Sequence, residues 1–138
     1  RVATSFISDA QAMRNLAKEL PPDRSFDSVV KDGEDIWLKR LGYVKIDQSR
    51  QSVNFLRTFY TNYYRTLLFP RLLTEYDEEG KAVHYSPYTG GTHSGELTTD
   101  SGFWDAYRTV YFWLSLSAPD ILDRLLEGWV NAYKEAGW

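Results

Sequence analysis

Hydrophobic positions recur every three to four residues over most of the chain, a spacing that predicts helices. Met13, Leu16, Ala17 and Leu20 follow a Ser8-Asp9-Ala10-Gln11 capping box, in which Ser8 and Gln11 satisfy each other's backbone N–H groups. Pro21-Pro22 ends that helix, because proline cannot donate and clashes with the preceding turn. A second helix, Phe26 to Leu41, carries Val29, Val30, Trp37 and Leu41 on one side, with Gly42 where a C′ glycine belongs. A third runs from about Ser49 to Phe69. Its Val53, Leu56, Tyr60, Tyr63 and Leu67 form a stripe that Phe55, Phe59 and Tyr64 widen, so burial on two sides is expected, and Pro70 closes it. A fourth, from near Trp104 to about Leu116, is apolar nearly all round and reads as the middle of a larger assembly. A fifth opens at Ser117-Ala118-Pro119-Asp120, with proline tolerated in the first turn. It buries Ile121, Leu122, Leu125, Leu126, Trp129, Val130 and Tyr133 and ends at Gly137, before the last residue, Trp138.

Two stretches read as strands, Arg1 to Ile7 and Tyr43 to Ile46. A lone strand is not stable, so the first pairs with the second or has lost its sheet. Leu73 to Gly102 shows no period and is expected to be a long loop, with a turn at Asp77-Glu78-Glu79-Gly80. Loops of that length are usually functional or disordered. An orphan strand and a helix without a polar face imply a fragment of a larger protein.

Composition narrows the function classes. At 138 residues the chain has the length of one domain, and a compact monomer of that size exposes about 7,400 Å². Sixteen basic against 19 acidic residues give a net charge of −3, which lacks the positive footprint that nucleic-acid binding needs. No apolar run approaches the ~20 residues of a membrane span. With no cysteine, disulfides, thiol catalysis, Cys-type zinc sites and iron–sulfur clusters are excluded. Aromatic residues make up 16%, enough to supply cores, interfaces or ligand-stacking faces.

Candidate chemistry is sparse. Asp77, Glu78 and Glu79 are adjacent, so they read as a solvated turn and not as convergent ligands. His84 and His93, nine apart, lack the spacing of a helical zinc pair and read mainly as exposed loop histidines. The best constellation is Thr99-Asp100-Ser101-Gly102-Phe103-Trp104-Asp105-Ala106-Tyr107-Arg108-Thr109. It places Trp104 and Asp105 at a helix start after the long loop. An indole face and a carboxylate that accepts from neighbouring hydroxyls are tools for holding a sugar ring. Arg108, three residues on, is placed to pair with Asp105 and fix its rotamer. A capped helix with a core tryptophan and an ordinary ion pair fits the same spacing.

That constellation, with Tyr85-Ser86-Pro87-Tyr88 before it, resembles glycoside hydrolase family 92, the calcium-dependent exo-acting α-mannosidases. Thr4-Ser5-Phe6-Ile7-Ser8, Thr58-Phe59-Tyr60 through Leu67-Leu68-Phe69-Pro70-Arg71, and Glu127-Gly128-Trp129-Val130-Asn131-Ala132-Tyr133-Lys134-Glu135 agree in collinear order. Phe112-Trp113 stands where such members usually carry proline soon after the Arg-Thr pair. The resemblance implies an N-terminal β-sandwich followed by an (α/α)₆ barrel, with the site between them. On that reading the chain is mainly α with one or two short strands. Residues 1–48 would be the last sandwich strand and linker helices, and 49–138 the first barrel helices. It implies an inverting hydrolase acting on terminal α-linked mannose in glycans, with Trp104 and Asp105 binding substrate and Arg108 supporting them. The acid/base pair and the calcium ligands would come from beyond Trp138, so no catalytic or metal-binding residue is assigned and the isolated chain is expected to be inactive. The remainder of the parent enzyme would be its partner, and the setting periplasmic or secreted. The competing reading is a non-catalytic helical carbohydrate-binding or scaffolding module.

Overall fold

The computed structural model describes residues 1–98 and 102–137. Its helices are α1 (Asp9–Glu19), α2 (Phe26–Leu41), α3 (Val53–Thr66), α4 (Phe103–Ala106), α5 (Val110–Ser117) and α6 (Pro119–Ala136). Between α3 and α4 lies a three-stranded antiparallel sheet: β1 (Glu75–Tyr76), β2 (Ala82–Tyr85) and β3 (Thr92–Ser94), in that order. The chain is mainly helical with a small sheet, and serine caps account for three helix starts. Ser8, Ser25 and Ser52 accept from the backbone N–H of Gln11, Ser28 and Phe55.

The strands are not where the pattern put them. Residues 1–7 enter no ladder and bend at Phe6-Ile7, and residues 43–46 enter none either, with Tyr43 in a turn and Val44 in a bend. Side chains hold the first segment instead. Arg1 donates to the carbonyls of Leu20, Pro21, Pro22 and Arg24 past the end of α1, at 2.8–3.2 Å. The Phe6 N–H donates to Glu75 Oε1 at 3.0 Å. The stretch expected to be loop forms the sheet. The acidic turn joins β1 to β2, with Asp77 Oδ1 accepting from the Lys81 N–H and Gly80 at φ +77°. A second tight turn, Ser86 to Gly91, joins β2 to β3 and puts Gly90 at φ +75°. Strands of two to four residues are too short for alternation to show.

Helix ends also differ. A 3₁₀ turn at Gln48–Arg50 precedes α3, which stops at Thr66 instead of Phe69. The expected fourth helix breaks into α4 and α5, because Thr109 leaves helical geometry at φ −131°, ψ −90° and turns its hydroxyl back to the Asp105 carbonyl. Gly42 lies at φ −71° and is not the left-handed cap. Its value is space, since a Cβ there would sit 2.7 Å from the Leu38 carbonyl oxygen.

The core lies where α2, α3, α5 and α6 meet. Tyr63 packs edge-on against Trp113 at 5.1 Å and donates to the Arg40 carbonyl, and Leu114 and Leu125 are fully buried. Two-sided burial of α3 is not seen: Tyr63 is its one buried residue, while Phe55 and Tyr64 are exposed. The accessible surface is 9954 Å², about a third more than the scaling for a compact monomer allows. The excess includes Phe26, Ile36 and Leu38 on α2 and Phe112 and Leu116 on α5. No described helix is long and apolar enough to cross a membrane.

Candidate sugar-binding turn and the helix that grips it

One face of α6 organises the segment that leads to the candidate site. Arg124, Gly128, Asn131 and Glu135 follow at spacings of four, three and four, so they form one stripe. Arg124 makes a double hydrogen bond to Glu96, Nε to Oε1 and a terminal nitrogen to Oε2, both 2.9 Å. Asn131 donates to the Glu96 carbonyl at 2.9 Å. Gly128 lets the backbone of Leu97 and Thr98 lie directly on the helix, and a Cβ there would stand 3.0 Å from both the Thr98 nitrogen and its hydroxyl. Gly95, at φ +97°, faces Asn131 and Glu127 with equally little room. The apolar stripe read from the sequence is only partly buried: Leu125 is fully buried and Ile121, Leu122 and Trp129 are half-buried, while Leu126, Val130 and Tyr133 stand exposed.

At the far end of the stripe, Glu135 meets His84. His84 sits on β2, and no part of it is exposed. Its Nδ1 lies 2.9 Å from the Gly95 carbonyl oxygen and its Nε2 3.0 Å from Glu135 Oε1. Both partners accept, so a doubly protonated ring satisfies both bonds. Burial alone would raise the Glu135 carboxyl, but the nearby Ser86 hydroxyl and the His84 ring overcome it and hold the group below the usual glutamate range. His93, opposite His84 in the ladder, stacks near it at 6.2 Å and meets the Thr89 hydroxyl at 2.7 Å. His84 is thus a buried structural pair and not a loop histidine. Its sequence signal was absent, because its partner lies 51 residues away.

Trp104 and Asp105 lie in the single turn of α4, after Gly102 at φ +59°. Thr99, Asp100 and Ser101 lie outside the described residues. The Asp105 N–H bonds to the Gly102 carbonyl, and its Oδ2 folds back to within 3.5 Å of where a Cβ on residue 102 would be. Trp104 is 72% exposed in this chain. Arg108 does not pair with Asp105 among the described residues; its guanidinium lies over the Trp104 ring. Neither Trp104 nor Asp105 lines the clefts found elsewhere, one of about 290 Å³ beside residues 2–6 and one of about 410 Å³ between β3 and the end of α6. The described residues thus supply an open aromatic and carboxylate wall, not an enclosed pocket. Among them no three His, Asp or Glu side chains converge to hold a metal ion.

Comparisons agree on one family. The model of the glycosyl hydrolase family 92 catalytic domain matches residues 11–138. The chain is 39% identical to the family 92 inverting mannosidase BT2199 of Bacteroides thetaiotaomicron, with a TM-score of 0.89 over 97% of this chain and 18% of that one. The family 92 hydrolase ccman5 shares the fold at a TM-score of 0.77 and 22% identity, over 96% of this chain and 17% of its own. An uncharacterized secreted glycosidase of Arthroderma benhamiae is 36% identical over 72 residues, which are 51% of this chain and 9% of that protein. The chain thus spans under a fifth of the solved structures and under a tenth of that curated relative.

Proposed function

The chain belongs to glycosyl hydrolase family 92, and from that premise we propose that it forms part of an inverting α-mannosidase acting on terminal α-linked mannose in glycans. The observation that carries this reading is the match to an enzyme described as an inverting mannosidase, at 39% identity along 97% of the chain. The site agrees with it: Trp104 offers an open indole face for the C–H side of a sugar, and Asp105, one residue on, offers an acceptor for its hydroxyls. Inversion needs two carboxyl groups about 6.5–9.5 Å apart, one protonated and one ionised. We assign neither to this chain, and we place the acid, the base and any calcium ligands in the remainder of the parent enzyme. The exposed apolar faces of α2 and α5 support such a partner. Secretion is proposed from the secreted relative.

The test is kinetic, in the parent enzyme, on an α-1,2-linked mannobiose. Asp105→Ala should lose about 3 kcal/mol of transition-state stabilisation, because sugar hydroxyls are left unpaired in a dry site. Trp104→Ala should raise KM. Wild-type kcat/KM in a folded Asp105→Ala enzyme refutes the sugar-binding role. The 138-residue chain alone should release no mannose, and turnover by it would refute the placement of the acid and base.

A further inference from the structure

We propose that Arg108 is a positioning residue that orients the Trp104 indole by stacking on it, and that a run of rings ending at Trp129 ties this hold to α6. The inference rests on the sugar-binding reading of Trp104. The Arg108 guanidinium carbon lies 4.9 Å from the Trp104 ring centroid and 4.7 Å from that of Tyr107. Its Nε donates to the Tyr107 hydroxyl. Tyr107 stacks on Phe103, with centroids 5.2 Å and planes 15° apart. Phe103 leans on Trp129 at 5.5 Å, and Trp129 meets Tyr111 edge-on at 5.6 Å.

The physical need is clear from the exposure. An indole that is 72% open has little packing to select its rotamer, and fixing it at the moment of binding costs entropy. A planar guanidinium over the ring pre-pays part of that cost, which a lysine point charge does less well. Arg108 itself meets a hydroxyl and a second ring, which restrict its own freedom. On this proposal it covers one indole face and the sugar takes the other. The spacing-based role, counter-ion to Asp105, has no ion pair behind it among the described residues.

The experiment is a set of double-mutant cycles in the parent enzyme, with KM and kcat measured on α-1,2-linked mannobiose. Arg108→Met should raise KM about fivefold, with kcat changed by less than about twofold. Arg108→Lys should recover part of the loss. In a Trp104→Phe background Arg108→Met should add little, whereas in an Asp105→Asn background its effect should persist in full. A loss that survives Trp104→Phe and vanishes with Asp105→Asn makes Arg108 a counter-ion and overturns the proposal. A second readout does not depend on sugar binding: acrylamide quenching of Trp104 fluorescence, with Trp104→Phe as the blank. Arg108→Met and Phe103→Leu should each increase that quenching. If Trp104→Phe leaves KM unchanged, the sugar-binding reading fails and quenching alone decides; no change in quenching then refutes the positioning role.

Discussion

Gly128→Ala tests the grip of α6 on the segment before the candidate site. In an ordinary helix interior the change stabilises by about 1 kcal/mol, since alanine is the better helix former. At this position the new Cβ would stand 3.0 Å from the Thr98 nitrogen and hydroxyl and 3.5 Å from the Leu97 carbonyl carbon. Two of those atoms are backbone, so relief needs the 97–98 segment to lift by a few tenths of an ångström. Overpacking of that kind costs about 1–3 kcal/mol, which offsets the propensity gain and leaves a net loss of about 1 kcal/mol. The lift is expected to be felt at Trp104, further along the chain. A displacement of 1 Å at a binding group costs about 100-fold, so a few tenths should cost roughly three- to tenfold in kcat/KM. The assays are urea unfolding of the chain by circular dichroism and mannobiose kinetics in the parent enzyme. Gly33→Ala is the control, because nothing lies within 4 Å of its Cβ position in α2. It should stabilise the chain and leave kcat/KM unchanged. If Gly128→Ala behaves like Gly33→Ala in both assays, close approach is not why glycine stands there.

Glu135→Leu strands the buried His84 ring and should cost about 2 kcal/mol of chain stability. Because the folded Glu135 carboxyl titrates below its ordinary value, its contribution is complete above the unfolded glutamate pKa of about 4.3 and is lost as pH falls through the folded value. Urea unfolding should therefore show a steeper acid loss in the wild type than in Glu135→Leu, and identical slopes would refute the pairing. Arg40→Ala removes the link from α2 to Asp120, whose carboxyl the Arg40 hydrogen bond holds below its usual range. Both side chains are partly exposed, at 35% and 57%, so the loss should stay under about 1 kcal/mol and shrink further in salt. A loss of several kcal/mol would mean that the pair is far less solvated than its exposure indicates.

The helices were legible because their information is local. Ser8, Ser25 and Ser52 each satisfy a donor three residues on, and Pro119 and Gly137 bracket α6. Where α4 should have continued, one side chain decided otherwise: Thr109 can bond back to Asp105, and nothing in an apolar period reports that choice. The sheet was missed for a different reason. Its three strands total nine residues, and their partners across the turns matter more than their own alternation. The first turn was read from the acidic Asp77–Gly80 stretch; the second, at Gly90-Gly91, was not. Two tight turns flanking Val83-His84-Tyr85 were the available hairpin signal.

The candidate site was only half legible, and α6 shows why. Periodicity identified the helix and then credited its burial to leucines, valine and rings. The contacts that order the chain upstream of Trp104 come instead from Arg124, Gly128, Asn131 and Glu135, residues that a hydrophobicity pattern counts as solvent-facing. Arg124, Asn131 and Glu135 reach partners 28, 35 and 51 residues back, and such pairs leave no trace within one helix of sequence. Periodicity drew notice to Trp129, Val130 and Tyr133, and Gly128, Asn131 and Glu135 drew notice by resemblance alone. The content of these three is physical: a glycine for contact, an amide for a carbonyl, a carboxylate for a buried imidazole. Arg108 follows the same logic. Spacing along the helix paired it with Asp105, three residues back, but the same turn makes Trp104, four residues back, an equal neighbour. The guanidinium takes the i,i+4 neighbour, Trp104, together with Tyr107. The interruption comes at Thr109, beyond both partners, and Thr109→Ala, which frees the Asp105 carbonyl for a helical bond, should add helix between α4 and α5 that circular dichroism of the chain registers, while the Arg108–Trp104 contact stays.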